Sequence, residues 1–449
     1  MRRSVLFLAF FLAAFPAARG QSVPASPAAR TAAPAPVELS ALFDGGFWQR
    51  DAAALRGESR GLFRPDGEGL LRFASSPALP AATLFGIPVL EALVRFSPRG
   101  TPSGASFAFY TRGDAGRIAP DRWKELCGNV LRTLSAAFAP AKGQPLSAHI
   151  GSARVRGMAW DTPSGRWTLR RGESDRPEYL TLALAPPAGS GGGTGAPSSL
   201  KSTASTRTDR ATQRSRVQDD GEGGKWLAVP MVDQGDKGYC AAATLERVLR
   251  FYGAEVDQHL LADLAGTDAQ GGTSSLALKA AIDRTAHVFG VRRKDCASPD
   301  PLTEERARNN YDRAAKKLHL PTLPRPRQSG GVRTIDVSGV DERVLQLARS
   351  KEKGFRQFQR DVKDAIDEGR PLMWGVTLFR GGVPAGGHMR LVVGYNEAKG
   401  VIYFSDSWGT GHEKEAMPYE EAWAITHLLF ELVPKNAAMS APGARTFAR

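Results

Sequence analysis

The stretch from Gly369 to Gly409 leaves this chain few choices. Three apolar runs of strand length follow one another there, Gly369-Arg-Pro-Leu-Met-Trp-Gly-Val376, Gly386-Gly-His388-Met-Arg-Leu-Val-Val-Gly-Tyr395 and Gly400-Val-Ile-Tyr-Phe-Ser-Asp406-Ser-Trp-Gly409. Only short turn-forming segments separate them. Parallel pairing would need long crossovers, so the spacing predicts an antiparallel meander. The second run reads as a strand that opens with His388, the third as a strand that ends in Asp406. Antiparallel neighbours bring the start of one strand beside the end of the next, so an imidazole and a carboxylate are expected to meet.

A third reactive group stands far upstream. Trp226-Leu-Ala-Val-Pro-Met-Val-Asp-Gln234-Gly-Asp-Lys-Gly-Tyr-Cys240 reads as a short apolar strand and a Gly/Asp turn, and an alanine-rich helix then runs from about Cys240 to Gly253. A thiol at a helix N-terminus sits among backbone donors at the positive end of the macrodipole, which favours its thiolate. Gln234, on the turn, is placed to bring its amide beside the Cys240 backbone N–H, and two converging donors are what an acyl-transfer oxyanion needs. Cysteine, base and carboxylate in that order make a nucleophilic constellation.

On these residues the segment from about 226 to 433 resembles the papain-like cysteine peptidases, nearest the bacterial bacteriocin-processing (double-glycine leader) type. Val229-Pro230, Gln234, Cys240 on a helix ending Phe251-Tyr252-Gly253, Gly387-His388 before an apolar strand, and Asp406-Ser-Trp-Gly409 match in order and spacing. The resemblance implies an α+β fold with an N-terminal helix on an antiparallel sheet, and cleavage of peptide or protein substrates through an acyl-enzyme. It also implies a Cys240–His388 thiolate–imidazolium pair, Asp406 as the group orienting the base, Gln234 as oxyanion donor, and no cofactor. Two departures stand out: Ala241-Ala-Ala243 follows the cysteine where the family often has Gly-Pro or Gly-Ser, and the Arg/Pro-rich stretch between Gly290 and Lys353 reads as an insertion with a surface helix over Arg306 to His319.

The rest of the chain divides around this segment. Met1-Arg-Arg3, the apolar run Val5 to Phe15 and the small residues before Gly20 read as a secretory signal peptide over 1–20, too short to span a bilayer, so the chain is expected to be secreted or periplasmic. A Pro/Ala-rich tether follows over 21–36. Residues 37–186 carry strand alternation at Leu90 to Phe96 and Ser106 to Tyr110, a helix from Pro120 whose apolar stripe includes Cys127, and a hairpin through Pro163-Ser-Gly165. They predict a small α+β domain with no recognisable site, in which Asp114 is a turn residue. A Gly/Ser/Thr-rich linker is expected over 187–224, the peptidase-like domain over 225–435 and a tail over 436–449.

Charge argues against nucleic acid. Of the +14 net balance, residues 1–225 hold 29 Lys+Arg against 18 Asp+Glu, without a basic cluster, while residues 226–435 hold 29 against 28. Three cysteines, Cys127, Cys240 and Cys296, leave at least one thiol unpaired even if a Cys127–Cys296 disulfide bridges the two domains. Asp233 and Asp236 are weak candidates for a cation, and no cysteine or histidine has zinc-ligand spacing. His412 is the competitor to His388; His149, His259, His287, His319 and His427 read as surface or packing residues. Trp408 reads as core or as a shield over the His–Asp pair. Two other functions stay open: transglutaminase-like acyl transfer, and an envelope protein that binds peptides without cutting them. No feature of the chain sets its oligomeric state.

Overall fold

The computed structural model describes residues 35–66, 69–76, 79–97, 99–150, 153–172, 177–187, 210–235, 238–254, 256–267, 272–329, 332–350 and 352–435. The expected signal peptide, nearly all of the tether, the stretch 188–209 and the tail lie outside these residues. The described chain is α+β, with helices packed on antiparallel sheets.

One eight-stranded antiparallel sheet organises the N-terminal half. Its strands are β1 (Arg64–Pro65), β2 (Leu70–Ala74), β3 (Glu91–Phe96), β4 (Pro102–Thr111), β5 (Gln144–Ile150), β6 (Ala153–Thr162), β7 (Gly165–Gly172) and β8 (Tyr179–Ala185), in the spatial order β1-β2-β3-β4-β8-β7-β6-β5. Period-two alternation sends Leu180, Leu182 and Leu184 of β8 to one face. There they join Phe107, Trp160 and Trp167 under helix α1 (Pro120–Ala137), which contributes Trp123, Val130 and Leu134. Cys127 is half-buried against this core. Asp114 accepts a hydrogen bond from Thr111 Oγ1 (2.7 Å) in the short turn of helix at Arg112–Ala115, the turn role expected of it.

The linker expectation runs too far. Residues 210–224 hold a short helix, α2 (Arg210–Arg214), and a strand, β9 (Val217–Asp219), that pairs with β10 (Gly224–Leu227). Composition misleads here because the Gly-rich turn is closed by one side chain. Asp220 Oδ1 accepts from the N–H groups of Glu222 (2.9 Å) and Gly224 (2.7 Å), and its Oδ2 accepts from Tyr403 Oη (2.5 Å).

The C-terminal half follows with α3 (Cys240–Phe251), α4 (Gln258–Ala265), α5 (Ser275–Thr285), β11 (Val291–Asp295), α6 (Glu305–Lys317), α7 (Glu342–Arg349), α8 (Gly354–Asp367), β12 (Leu372–Arg380), β13 (Val383–Asn396), β14 (Val401–Ser405), β15 (Glu415–Pro418), α9 (Tyr419–Ile425) and β16 (Thr426–Pro434). Its sheet runs β9-β10-β13-β12-β16-β11, with β14 paired to β13 and β15 to β14, all antiparallel. The meander of β12, β13 and β14 is the one the spacing predicts. Strand β13 starts earlier than expected, however, at Val383 rather than at His388. Gly381 and Gly382, at φ +60° and +81°, make the turn, and the ladder runs from Arg380↔Val383 inward, so Gly386 and Gly387 lie within a strand.

Helix α3 packs on β13, where Thr244 Oγ1 donates to the Met389 carbonyl (3.2 Å). It is buried nearly all round, and Gly253 at φ +88° follows its end. The expected surface helix of the insertion is α6. It packs on α7 around Tyr311, Val344 and Leu345 in a small core of its own. Among the described residues no helix is long and apolar enough to cross a membrane, no group of three or more His, Cys, Asp or Glu could hold a metal ion, and all three cysteines are free.

Candidate active site

Cys240 is the first residue of α3 and only 6% exposed. The first bond of the helix joins the Ala243 N–H to the Tyr239 carbonyl (2.8 Å), so the N–H of Cys240 has no acceptor within the helix. His388 stands opposite Val376 in β13, also buried. Asp406 follows the last residue of β14, and the register Leu391↔Ser405 lays it against the middle of β13. The meander brings His388 and Asp406 together, and the packing of α3 on β13 brings Cys240 to His388.

His388 Nε2 lies 2.5 Å from Asp406 Oδ1. With Nε2 committed there, Nδ1 is the ring atom left for Cys240. Burial pushes the imidazole down, but hydrogen bonds to Asp406 and Cys240 and the charges of both outweigh it and raise the pKa to about 9. The carboxylate is fully buried and fully used. Oδ1 also accepts from the Ser407 N–H (2.9 Å), and Oδ2 accepts from Arg390 Nε (2.8 Å). Burial alone would raise the pKa of Asp406; the bonds and charges of His388 and Arg390 hold it below the ordinary carboxylate value.

Gln234 is anchored to the loop that carries the acid. Its N–H donates to the Ser407 carbonyl (2.9 Å), and its side-chain oxygen accepts from Ser407 Oγ (2.6 Å), which fixes the carboxamide by its acceptor end. Trp408 is not core. It is 43% exposed and stacks over His388 with centroids 4.9 Å apart and planes 21° apart, so it shields the His388–Asp406 bond from water.

Three residues of this site were not singled out in the sequence. Arg390 follows His388 by two positions and so shares its face of β13, a relation that period-two reading could have exposed. Arg247 lies two turns beyond Cys240 on α3 and is completely buried. It donates to the carbonyls of Pro230 (2.9 Å) and Asp406 (2.8 Å) and to Ser405 Oγ (2.5 Å), tying the helix to both loops. Burial lowers its pKa to about 10, against the charges of Asp406 and Glu413. Ser407, the third, links Gln234 to Asp406.

The competing candidates are occupied elsewhere. His412 Nδ1 pairs with Glu415 Oε1 (2.9 Å), and its ring meets Trp408 edge-on. Asp233 accepts from Arg72 of β2 and from the Gly235 N–H (2.7 Å); Asp236 lies outside the described residues. Burial raises the Cys127 thiol and pushes Cys296 up to about 12.

Residues 335–428 match the model of the Peptidase_C39 like family. That stretch contains His388 and Asp406, while Gln234 and Cys240 precede it. Among solved structures the chain is similar to xylellain, a cysteine protease from Xylella fastidiosa, with 14% identity and a TM-score of 0.25 over 51% of this chain and 90% of that one. No curated protein matches it. The likeness to the Peptidase_C39 like family thus lies over residues 335–428, the stretch that carries His388 and Asp406.

Proposed function

We propose that the protein is an exported cysteine peptidase that cleaves peptide bonds through a thioester at Cys240. The sulfur attacks the scissile carbonyl carbon, and the electron pair of the carbonyl moves to oxygen. That oxyanion is received by the Cys240 N–H and the Gln234 amide. As the tetrahedral species collapses, the C–N bond breaks and the His388 imidazolium gives its proton to the departing amine, leaving a thioester. Water then attacks the thioester carbon while His388 takes its proton, and the C–S bond breaks, so the acid product leaves and the thiolate–imidazolium pair is restored. Asp406 holds the ring so that one nitrogen always faces the sulfur, and Arg390 keeps that carboxylate ionised.

The observation that carries this reading is the His388 imidazole shared between Cys240 and an Asp406 carboxylate whose two oxygens are both bonded. Cys127 and Cys296 provide internal controls, because burial disfavours their thiolates. A peptide library is to be digested with wild type and Cys240→Ala in parallel, alongside labelling by a thiol-directed inactivator. Hydrolysis and fast labelling are expected in the wild type and lost in the variant. Labelling of Cys240 no faster than of Cys127 or Cys296 would overturn the assignment. Export rests on residues 1–20, and the N-terminus of the protein recovered outside the cytoplasm tests it: it is expected to begin after Gly20.

A further inference from the structure

The two oxyanion donors and the nucleophile are held from outside the peptidase-like half. Asp233, the chain neighbour of Gln234, accepts from Arg72 of β2, whose Nε also bonds Glu91 Oε1 of β3 (2.9 Å). Tyr239, the chain neighbour of Cys240, is completely buried, and its hydroxyl donates to Glu178 Oε1 just ahead of β8 (2.6 Å). Apolar contact also crosses the seam. Val155 of β6 is part of the peptidase-like core, and a Cβ on Gly172 of β7 would lie 2.6 Å from Asp263 of α4.

An ion pair that is only partly buried, as Arg72–Asp233 is, adds little net stability, so stability alone does not account for the Arg72–Asp233–Glu91 arrangement. Position does: rate falls steeply when donors and nucleophile shift by fractions of an ångström, and these contacts fix the residues next to both. Resting on the peptidase reading, we propose that Arg72 and Glu178 are positioning residues for the reaction, and that the N-terminal sheet is a built-in clamp that holds Gln234 and Cys240 in register.

The test uses the full chain, with competent sites counted by an irreversible thiol-directed inactivator so that misfolded protein does not enter the rates. Tyr239→Phe and Arg72→Met are expected to lower kcat per titrated site at least about tenfold with KM within about threefold. Glu178→Gln keeps an oxygen acceptor for the Tyr239 hydroxyl and is expected to stay within about threefold of wild type. Val155→Ala loosens the seam while leaving the Arg72–Asp233 and Tyr239–Glu178 hydrogen-bonding groups in place, and it is expected to lower the denaturation midpoint but not kcat per site. Unchanged kcat in Tyr239→Phe and Arg72→Met overturns the clamp, as does an equal loss in Val155→Ala. Wild type that neither cuts peptides nor labels at Cys240 removes the peptidase reading itself, a result distinct from active wild type with equally active variants.

Discussion

At the scale of single residues, the proposed reaction makes His388 the group that sets the working pH. Its imidazolium persists to about pH 9 because the charges around it outweigh burial. Turnover that needs this proton for the departing amine should therefore fall along an alkaline limb centred near pH 9. Asp406→Asn removes one of those charges, so the limb should move to lower pH and kcat/KM should drop by roughly one to two orders of magnitude at neutral pH. A pH profile of kcat/KM for the two proteins checks both, and a limb that stays in place in the variant would contradict the electrostatic account. Cys240, Gln234, His388 and Asp406 could be read from the sequence as candidates because a thiol at a helix start, an upstream amide and a histidine and a carboxylate on neighbouring apolar runs stand in an order that suits acyl transfer. The sequence hid Arg247 and Arg390, since an arginine in an apolar run reads as a solvated side chain until the fold shows a carbonyl or carboxylate waiting for it.

Among the elements, β13 carries the heaviest constraint. It pairs with β10, β12 and β14, and it presents both His388 and Arg390 to α3 and the acid loop. Its existence was legible from apolar length and turn spacing; its start was not, because Gly386-Gly387 looks like a turn in sequence but is paired within the ladder, with Gly386 at φ +143°. Register likewise escaped composition at β9, where the Asp220 side chain converts an expected linker into a hairpin. Close approach explains another glycine. A Cβ on Gly394 would lie 2.4 Å from the Lys225 carbonyl and 2.8 Å from Trp226 Cβ on β10. Gly394→Ala must push β10 away from β13, and the expected cost is about 1–3 kcal/mol in denaturant unfolding, with activity per folded molecule largely kept because β10 touches none of the reacting groups. A neutral effect on the midpoint would mean that the β10 edge yields freely.

For the molecule as a whole, proton linkage gives a direction that no single contact shows. Burial raises Glu246, at the seam between the halves, to about 7 from an ordinary 4.5, against the charge of Arg250, and His388 rises to about 9 from 6.5. Both groups hold protons more tightly folded than unfolded. The Glu246 contribution is therefore lost as pH rises from 4.5 to 7, and that of His388, complete below 6.5, is lost as pH rises to 9. His427 works the other way: burial lowers it to about 4, so its stabilisation is present above 6.5 and lost as pH falls toward 4. The opposing terms overlap below pH 6.5 and leave a shallow dependence there. Above it the His388 term falls, and where Cys240 is a thiolate the proton it has released offsets that fall, so stability should decline between pH 6.5 and 9 by less than the His388 shift from 6.5 to about 9 would give alone. Denaturant midpoints at the two pH values measure this, and Asp406→Asn should shrink the decline because it weakens the hold on the imidazolium proton. An equal pH dependence in Asp406→Asn and wild type would mean that the carboxylate does not hold the His388 proton in the folded protein, and the raised imidazole would lose the main hydrogen bond that accounts for it.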